Sequence, residues 1–219
     1  MLACRARLER LLPLAQSRLP ASSPFPVDLV VAPSEHMGAQ LQGRRDQRGR
    51  VRLVFSRPMV DNLTDAELLS VMGHELGHLH LGHLWNQHSR GLALAWGISS
   101  LLTALAFVTA CLGGCALVPA CLAAGMVGML LLLLVRRWAT KVVMGLHEFQ
   151  ADRCSVGVAG ARASVSALRK TAQDLSGSNE SGPARWRLGL ELPSYRVRIG
   201  QIYRHRHQLA PRHRASVLV

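Results

Sequence analysis

Two long uncharged runs in the middle of the chain constrain its fold more than any other feature. They cover residues 91–112 and 115–135, and Gly113 and Gly114 separate them. Each run has about 20 residues, which is the length an α-helix needs to cross a hydrocarbon core of about 30 Å. The glycine pair favours a short turn, so the sequence predicts a transmembrane helical hairpin. The alternative is a buried helical hairpin in a soluble protein.

Charges at the ends of this predicted hairpin indicate its orientation. Arg90 precedes the first run, and Arg136, Arg137 and Lys141 follow the second, whereas the glycine turn carries no charge. Because positively charged flanks stay on the cytoplasmic side, both outer ends are expected there. The sequence thus predicts a multi-pass membrane protein with two spans and a catalytic domain on the cytoplasmic side.

The overall composition narrows the class of partner. The net charge is +13, with 26 Lys and Arg against 13 Asp and Glu. Such a charge suits an anionic membrane surface, acidic substrates or nucleic acid. No nucleic-acid recognition motif is present, so we expect a lipid bilayer and no nucleic acid. The five cysteines are odd in number and include no Cys-x-x-Cys pair, which argues against a disulfide framework and against a thiolate zinc site.

The strongest chemical signal is the sequence HELGH at residues 74–78. His74 and His78 are four residues apart, so on an α-helix their rings lie on one face and can hold one metal ion. Glu75 lies beside them, where its carboxylate can act as general base on a water molecule. A helix is indicated because Thr64 and Glu67 form a capping box directly before an apolar pattern with a period of about 3.6 residues.

A catalytic zinc ion takes three protein ligands, so a third ligand is needed. The extended metzincin pattern is excluded, because Leu81 and Leu84 occupy the positions where it requires glycine and histidine. The preferred third ligand is Glu148, four residues before Asp152 on the same face of a predicted helix. Asp152 would then steady a ligating group. The neighbouring His147 is a competing ligand with an expected supporting role.

Short strands and further helices are predicted elsewhere. Residues 27–31 and 51–55 have strand patterns, and the polar segment at 36–50 is interpreted as a solvated loop, so the two strands form a hairpin or the edge of a small sheet. The strand at 51–55 is expected to hold an extended substrate by edge pairing. One long helix follows residue 147, weakened by Gly157 and Gly160, and a short helix begins near residue 192. The fold class is therefore mostly α with a small β-hairpin or sheet.

HELGH, the predicted hairpin and the later sequence EFQAD at residues 148–152 together resemble the M48 family of zinc metallopeptidases. The likeness is to a short form of its HtpX-like gluzincins and covers roughly residues 27–205. It implies a gluzincin-like protease domain interrupted by the membrane hairpin. It further implies one zinc ion per chain, bound by His74, His78 and Glu148.

The same resemblance implies roles for three further residues. Glu75 is the catalytic base, and Asp152 matches the family's aspartate four residues after the third ligand. Arg198 fits a late family motif and is expected to orient the site. One position departs from that motif: Leu192 stands where the family has a histidine.

These expectations combine into one organisation and function. Residues 1–90 carry the first half of a protease domain, residues 91–135 the hairpin, residues 136–205 the second half and residues 206–219 a basic tail. The predicted function is a membrane-bound zinc metalloendopeptidase that hydrolyses peptide or membrane-protein substrates in quality control. The alternative is a catalytically inactive, chaperone-like binding protein of the same fold. An intramembrane protease is disfavoured, because the motif helix carries Asp65 and Glu67 and no Leu-Asp-Gly follows it.

Overall fold

The computed structural model describes residues 2–19, 26–42, 50–83, 97–98, 101, 105, 108–109, 118–177 and 193–205. The chain divides into two compact units. One unit comprises residues 1–81 and 146–219, and the other comprises residues 82–145. The sheet and all of the predicted site residues belong to the first unit.

The described residues contain three short strands, β1 (Val27–Ala32), β2 (Ala39–Gln42) and β3 (Val51–Ser56). They form one sheet in the order β1-β3-β2. β1 pairs parallel to β3, with Leu29 opposite Leu53. β2 pairs antiparallel to β3, with Leu41 opposite the same residue. β3 lies between the other two strands, and nearly all of its side chains are buried. β2 forms one edge and is half exposed.

Of the two arrangements predicted for strands 27–31 and 51–55, the small sheet is observed and the hairpin is wrong, since these two strands run parallel. The segment interpreted as a loop, residues 36–50, contains β2, and β2 makes the antiparallel pair with β3. Exposed Gln40 and Gln42 alternate with partly buried Ala39 and Leu41, which is the period of two that a half-buried strand requires. A small sheet in a mostly helical protein confirms that part of the predicted fold class.

In the described part of the chain before residue 81, three helices pack against the sheet. They are α1 (Leu2–Ser17), α2 (Arg57–Asn62) and α3 (Asp65–His80). α3 begins at the predicted capping box, which is confirmed. The Thr64 hydroxyl accepts from the Glu67 N–H, and the Glu67 carboxylate accepts from the Thr64 N–H. α1 packs against α3, and Leu8, Leu68 and Met72 are fully buried in the shared core.

The described residues from 118 onward form three helices, α4 (Val118–Ala159), α5 (Ala161–Gly177) and α6 (Tyr195–His205). The single long helix predicted after residue 147 is wrong, because the chain breaks at Gly160, whose φ is +85°. Glycine adopts this left-handed conformation without the strain a side chain would cause. The Gly160 N–H donates to the Val156 carbonyl and closes the last turn of α4. α5 then packs against α3, and α6 packs against α5.

Several predictions fall on parts of the chain that are not described. The first uncharged run, residues 91–112, lies almost entirely outside the described residues, as do Leu192 and the basic tail at 206–219. Most of the second run belongs to α4. Within the part of the chain that the structure describes, no helix combines the length and the apolar character needed to cross a membrane. The transmembrane hairpin stays a prediction.

Candidate metal centre

α3 brings the two histidines of HELGH together. The Nε2 atoms of His74 and His78 are 3.1 Å apart, and the rings meet edge to face with centroids separated by 4.7 Å. Both side chains are largely buried, with exposed fractions of 14% and 15%. The four-residue spacing therefore produces what it predicts, two imidazole nitrogens at one place.

Two glycines beside the histidines let α4 approach α3 closely. A Cβ atom at Gly73 would lie 2.8 Å from the Cβ of Val158, and one at Gly77 would lie 2.8 Å from the Cβ of Cys154. Cβ atoms do not approach one another so closely, so any larger residue would push α4 away. Gly73, directly before HELGH, and Gly77 within it thus decide how near the side chains of α4 can come to the histidines.

α4 supplies Glu148 at this point. Its Oε2 is 3.4 Å from His74 Nε2 and its Oε1 is 3.5 Å from His78 Nε2, and the candidate ligand atoms of the three residues lie within 4.8 Å of one another. Zinc ligands at about 2.0–2.2 Å from a tetrahedral ion are separated from each other by about 3.3–3.6 Å. The residues therefore fit a zinc ion both in donor type and in spacing.

Asp152 lies one turn after Glu148 on α4 and contacts the first histidine. Its Oδ1 is 3.1 Å from Nδ1 of His74. With the Nδ1 proton donated to this carboxylate, Nε2 of His74 faces Glu148 and is the atom available to a metal. The structure thus gives Asp152 the supporting contact that its position four residues after Glu148 predicts.

Arg198 on α6 joins both carboxylates. Its Nε and Nη2 donate to the two oxygens of Asp152 at 2.9 and 2.6 Å, and its Nη1 is 2.9 Å from Oε2 of Glu148. The side chain is buried, so this double pairing takes place away from water. A guanidinium group suits the task because its donors form a rigid fork. Arg198 therefore fixes the position of α6 relative to the candidate ligands.

The charges of the cluster shift its pKa values in opposite directions. Burial would raise the pKa of Glu148, but hydrogen bonds from the two histidines and the charge of Arg198 hold it well below its usual range. Arg198 and His74 lower the pKa of Asp152 in the same way. Burial would lower the pKa of His74, but its bonds to Asp152 and Glu148 raise it to about 9. A metal ion binding here has to displace a proton from His74.

Glu75 is half-buried on α3, between the two histidines in sequence. Burial raises its pKa, opposed in part by the nearby His74 and His78 and by the backbone N–H of Leu41. A carboxylate with a raised pKa accepts a proton more readily, as a general base must. Leu41 belongs to β2, so the edge strand of the sheet lies next to the candidate base.

The structure brings together five of the six predicted site residues through direct contacts: His74, His78, Glu148, Asp152 and Arg198. Glu75 is the sixth and follows His74 on α3. The competing ligand His147 is buried beside Glu148 but is not in the cluster of candidate ligands. Sequence reasoning missed β2 altogether, although the alternation at residues 39–42 signalled it. The predicted edge pairing on strand 51–55 is wrong, because β3 is paired on both sides.

Comparison with known proteins agrees with the chemistry of the cluster. The family model for peptidase family M48 matches residues 4–207. A search of the curated proteins found no match to this chain. Because the family match covers nearly the whole sequence, the protein belongs to peptidase family M48, whose members are metal-dependent hydrolases of peptide bonds.

Proposed function

We propose that this protein is a zinc-dependent endopeptidase. The observation that carries the proposal is the cluster of His74, His78 and Glu148, whose nitrogen and oxygen atoms have the separations of ligands around a tetrahedral zinc ion. Family membership supplies the reaction class. Glu75, which follows His74 on α3 and accepts a backbone hydrogen bond from Leu41, supplies a base next to the ligands.

The mechanism follows from the roles of the side chains. His74, His78 and Glu148 would hold a zinc ion, whose Lewis acidity would lower the pKa of water and polarise a peptide carbonyl. Glu75 takes the proton of the attacking water and passes it to the leaving amine. Asp152 holds His74 in the tautomer that presents Nε2. Arg198 keeps both carboxylates in place while the charge in the site changes.

The substrate in this proposal is an extended peptide that pairs with β2. Among the described strands, β2 pairs with β3 on one side, and its other edge can accept a further strand. Leu41 of β2 lies next to Glu75, which would bring a paired peptide close to the base. Pairing of this kind recognises the main chain of the substrate rather than its side chains, which suits an enzyme acting on many unfolded proteins.

We also propose that the chain is attached to a membrane by residues 91–135, with the protease part in the cytoplasm and unfolded membrane proteins among its substrates. Support comes from the two uncharged runs and their basic flanks. Within the unit at 82–145, many apolar side chains are exposed, as expected for residues covered by lipid, and they include Leu101, Leu105, Met126, Leu130, Leu134 and Trp138. Alkaline carbonate extraction of membranes tests this, because recovery in the soluble fraction would contradict the proposal.

The enzymatic proposal is tested with the full chain purified in detergent. We expect casein cleavage that stops with a zinc chelator and returns when zinc is added back. Metal analysis should give about one zinc ion per chain, lost in His74→Ala, where one of three ligands is missing. Asp28→Ala, on the far edge of the sheet, is the matched control and should keep both zinc and cleavage. A folded protein that binds zinc but never cleaves would favour the inactive binding protein instead.

A further inference from the structure

Three polar side chains on α5 lie on one face of that helix. Ser166, Lys170 and Asp174 are four residues apart, a spacing that places them in a row along the helix. Each makes a hydrogen bond to a segment of the same unit that is distant in sequence. This row, called here the α5 stripe, is not explained by the candidate metal centre, which α5 does not contact through these residues.

The first part of the stripe binds the start of α3. Ser166 Oγ donates to Glu67 Oε1 at 2.6 Å, and Lys170 Nζ donates to Glu67 Oε2 at 2.8 Å. Lys170 also reaches the Asn62 carbonyl at 3.3 Å. Because Glu67 is buried in the first turn of the helix that carries His74, these bonds fix α5 to the beginning of α3.

The last residue of the stripe binds the start of β2. Asp174 Oδ2 accepts from the backbone N–H of Met37 at 2.7 Å and lies 3.9 Å from Nδ1 of His36. Met37 is buried in the core, two residues before β2 begins. A charged acceptor on a buried backbone N–H makes a stronger bond than a neutral one does. Asp174 therefore holds the chain at the entrance to the edge strand.

A second anchor completes this arrangement from the sheet. Ser56 Oγ accepts from the Gly38 N–H at 2.8 Å, and the Ser56 N–H donates to the Gly38 carbonyl, also at 2.8 Å. Ser56 ends β3, so it fixes β2 sideways against its neighbour. Asp174 adds the contact that ties β2 to α5, and α5 is in turn tied to α3.

From this geometry we propose that Asp174 is a positioning residue for substrate binding: it sets the place of β2 relative to α3, and so the place of a paired peptide relative to Glu75. The inference rests on the proposed function, because it assumes that β2 binds the substrate. It assigns Asp174 to substrate affinity rather than to zinc binding or to the chemical step. Asp174 itself contacts neither the candidate ligands nor Glu75.

The test compares Asp174→Ala with Asp174→Asn in the full-length enzyme, using a fluorogenic peptide of about eight residues. Losing the acceptor should raise KM about tenfold with kcat within about twofold. Asparagine keeps an acceptor oxygen, so Asp174→Asn should restore most of the affinity. Zinc content should stay unchanged in both variants, and Asp28→Ala on the opposite edge of the sheet is the control that should leave KM unchanged.

Amide hydrogen exchange at Met37 gives a readout that does not depend on activity. We expect the Met37 amide to exchange about tenfold faster in Asp174→Ala than in wild type, and more slowly in Asp174→Asn than in Asp174→Ala. Faster exchange with an unchanged KM overturns the inference, and so does a fall in kcat or zinc content in place of a rise in KM. If the alanine variant does not fold, Asp174→Ser replaces it, because the shorter serine side chain also does not extend to the Met37 N–H. A wild-type enzyme that cleaves no peptide overturns the proposed function itself, a different result from normal cleavage with an unmoved KM.

Discussion

Two glutamates on α3, Glu67 and Glu75, are eight residues apart and have opposite electrostatic settings. Glu67 is buried at the start of the helix and accepts hydrogen bonds from Thr64, Ser166 and Lys170. Burial would raise its pKa, but these donors lower it to about 2. Glu75 is half-buried next to the candidate ligands, and there burial prevails and raises its pKa.

The comparison shows that donors, rather than burial, decide what a carboxylate does. Burial pushes both pKa values upward, since a charged group loses its hydration in either place. Glu67 regains that loss from the Lys170 ammonium, the Ser166 hydroxyl and the Thr64 backbone N–H, so it stays charged and holds helices together. Glu75 is compensated only in part, by the nearby His74 and His78 and by the Leu41 N–H, so it is better suited to take up a proton. The same side chain is thus structural at one turn of α3 and reactive two turns later.

The largest effect expected is the loss of cleavage in Glu75→Gln. Glutamine has nearly the same shape but cannot take the proton, so kcat/KM should fall by about 100- to 10,000-fold. Zinc content should not change, because Glu75 is not among the candidate ligands. Glu67→Gln is the matched control and, assayed where it is folded, should cleave within about twofold of wild type. Cleavage by Glu75→Gln at a near-normal rate would remove the distinction between the two glutamates.

The next effect concerns stability in acid. The pKa of Glu67 lies near 2 in the folded protein, below its ordinary value of 4.5, so its charge stabilises the fold above pH 4.5. That contribution is lost as the pH falls from about 4.5 to about 2. It is roughly 2 kcal/mol, allowing for screening because Lys170 is 38% exposed. Denaturant unfolding of wild type and Glu67→Gln should therefore differ at pH 7 and converge near pH 2; a constant difference would contradict this assignment.

A smaller effect is expected from Asp152→Asn. This substitution tests whether the metal centre beside Glu75 depends on its supporting carboxylate. The substitution weakens the bonds to Arg198 and His74, so zinc affinity should fall by about 10- to 100-fold. Competition with a chromophoric chelator measures this directly. Asp65→Asn, an acid in the first turn of α3 paired with Arg7 and Arg10, is the control and should bind zinc normally. Equal affinities in the two variants would show that Asp152 does not tune the site.

Local pattern was sufficient to predict the parts of the site that depend on one helix. The capping box at Thr64 and the spacing of His74 and His78 depend on residues three or four apart, which the helical period brings together. β2 was missed because four residues with two glutamines carry a weak signal, and their pairing with β3 is not local. The break at Gly160 was read as a weakened helix, since glycine alone does not reveal a positive φ.

Contacts between distant segments explain the other gaps. Arg198 was expected near the site from the family resemblance, but its bonds to both Glu148 and Asp152 depend on how α6 packs. The α5 stripe was not predicted either, because a serine, a lysine and an aspartate on a helix face are usually solvated. Their partners, Glu67 and the Met37 backbone, are far away in sequence.

The smallest effect expected is that of Ser166→Ala, which removes one of the donors that keep Glu67 charged. The lost bond to Glu67 Oε1 should cost about 1 kcal/mol of unfolding free energy at pH 7. It should also raise the pKa of Glu67 toward that of Glu75, so the acid unfolding midpoint moves to higher pH. Gln173→Ala, an exposed position on the same helix, is the control. A contrary result is an acid unfolding midpoint that stays fixed in Ser166→Ala but shifts in Lys170→Met. The lysine alone would then account for the low pKa of Glu67, and the contrast with Glu75 would reduce to one ion pair.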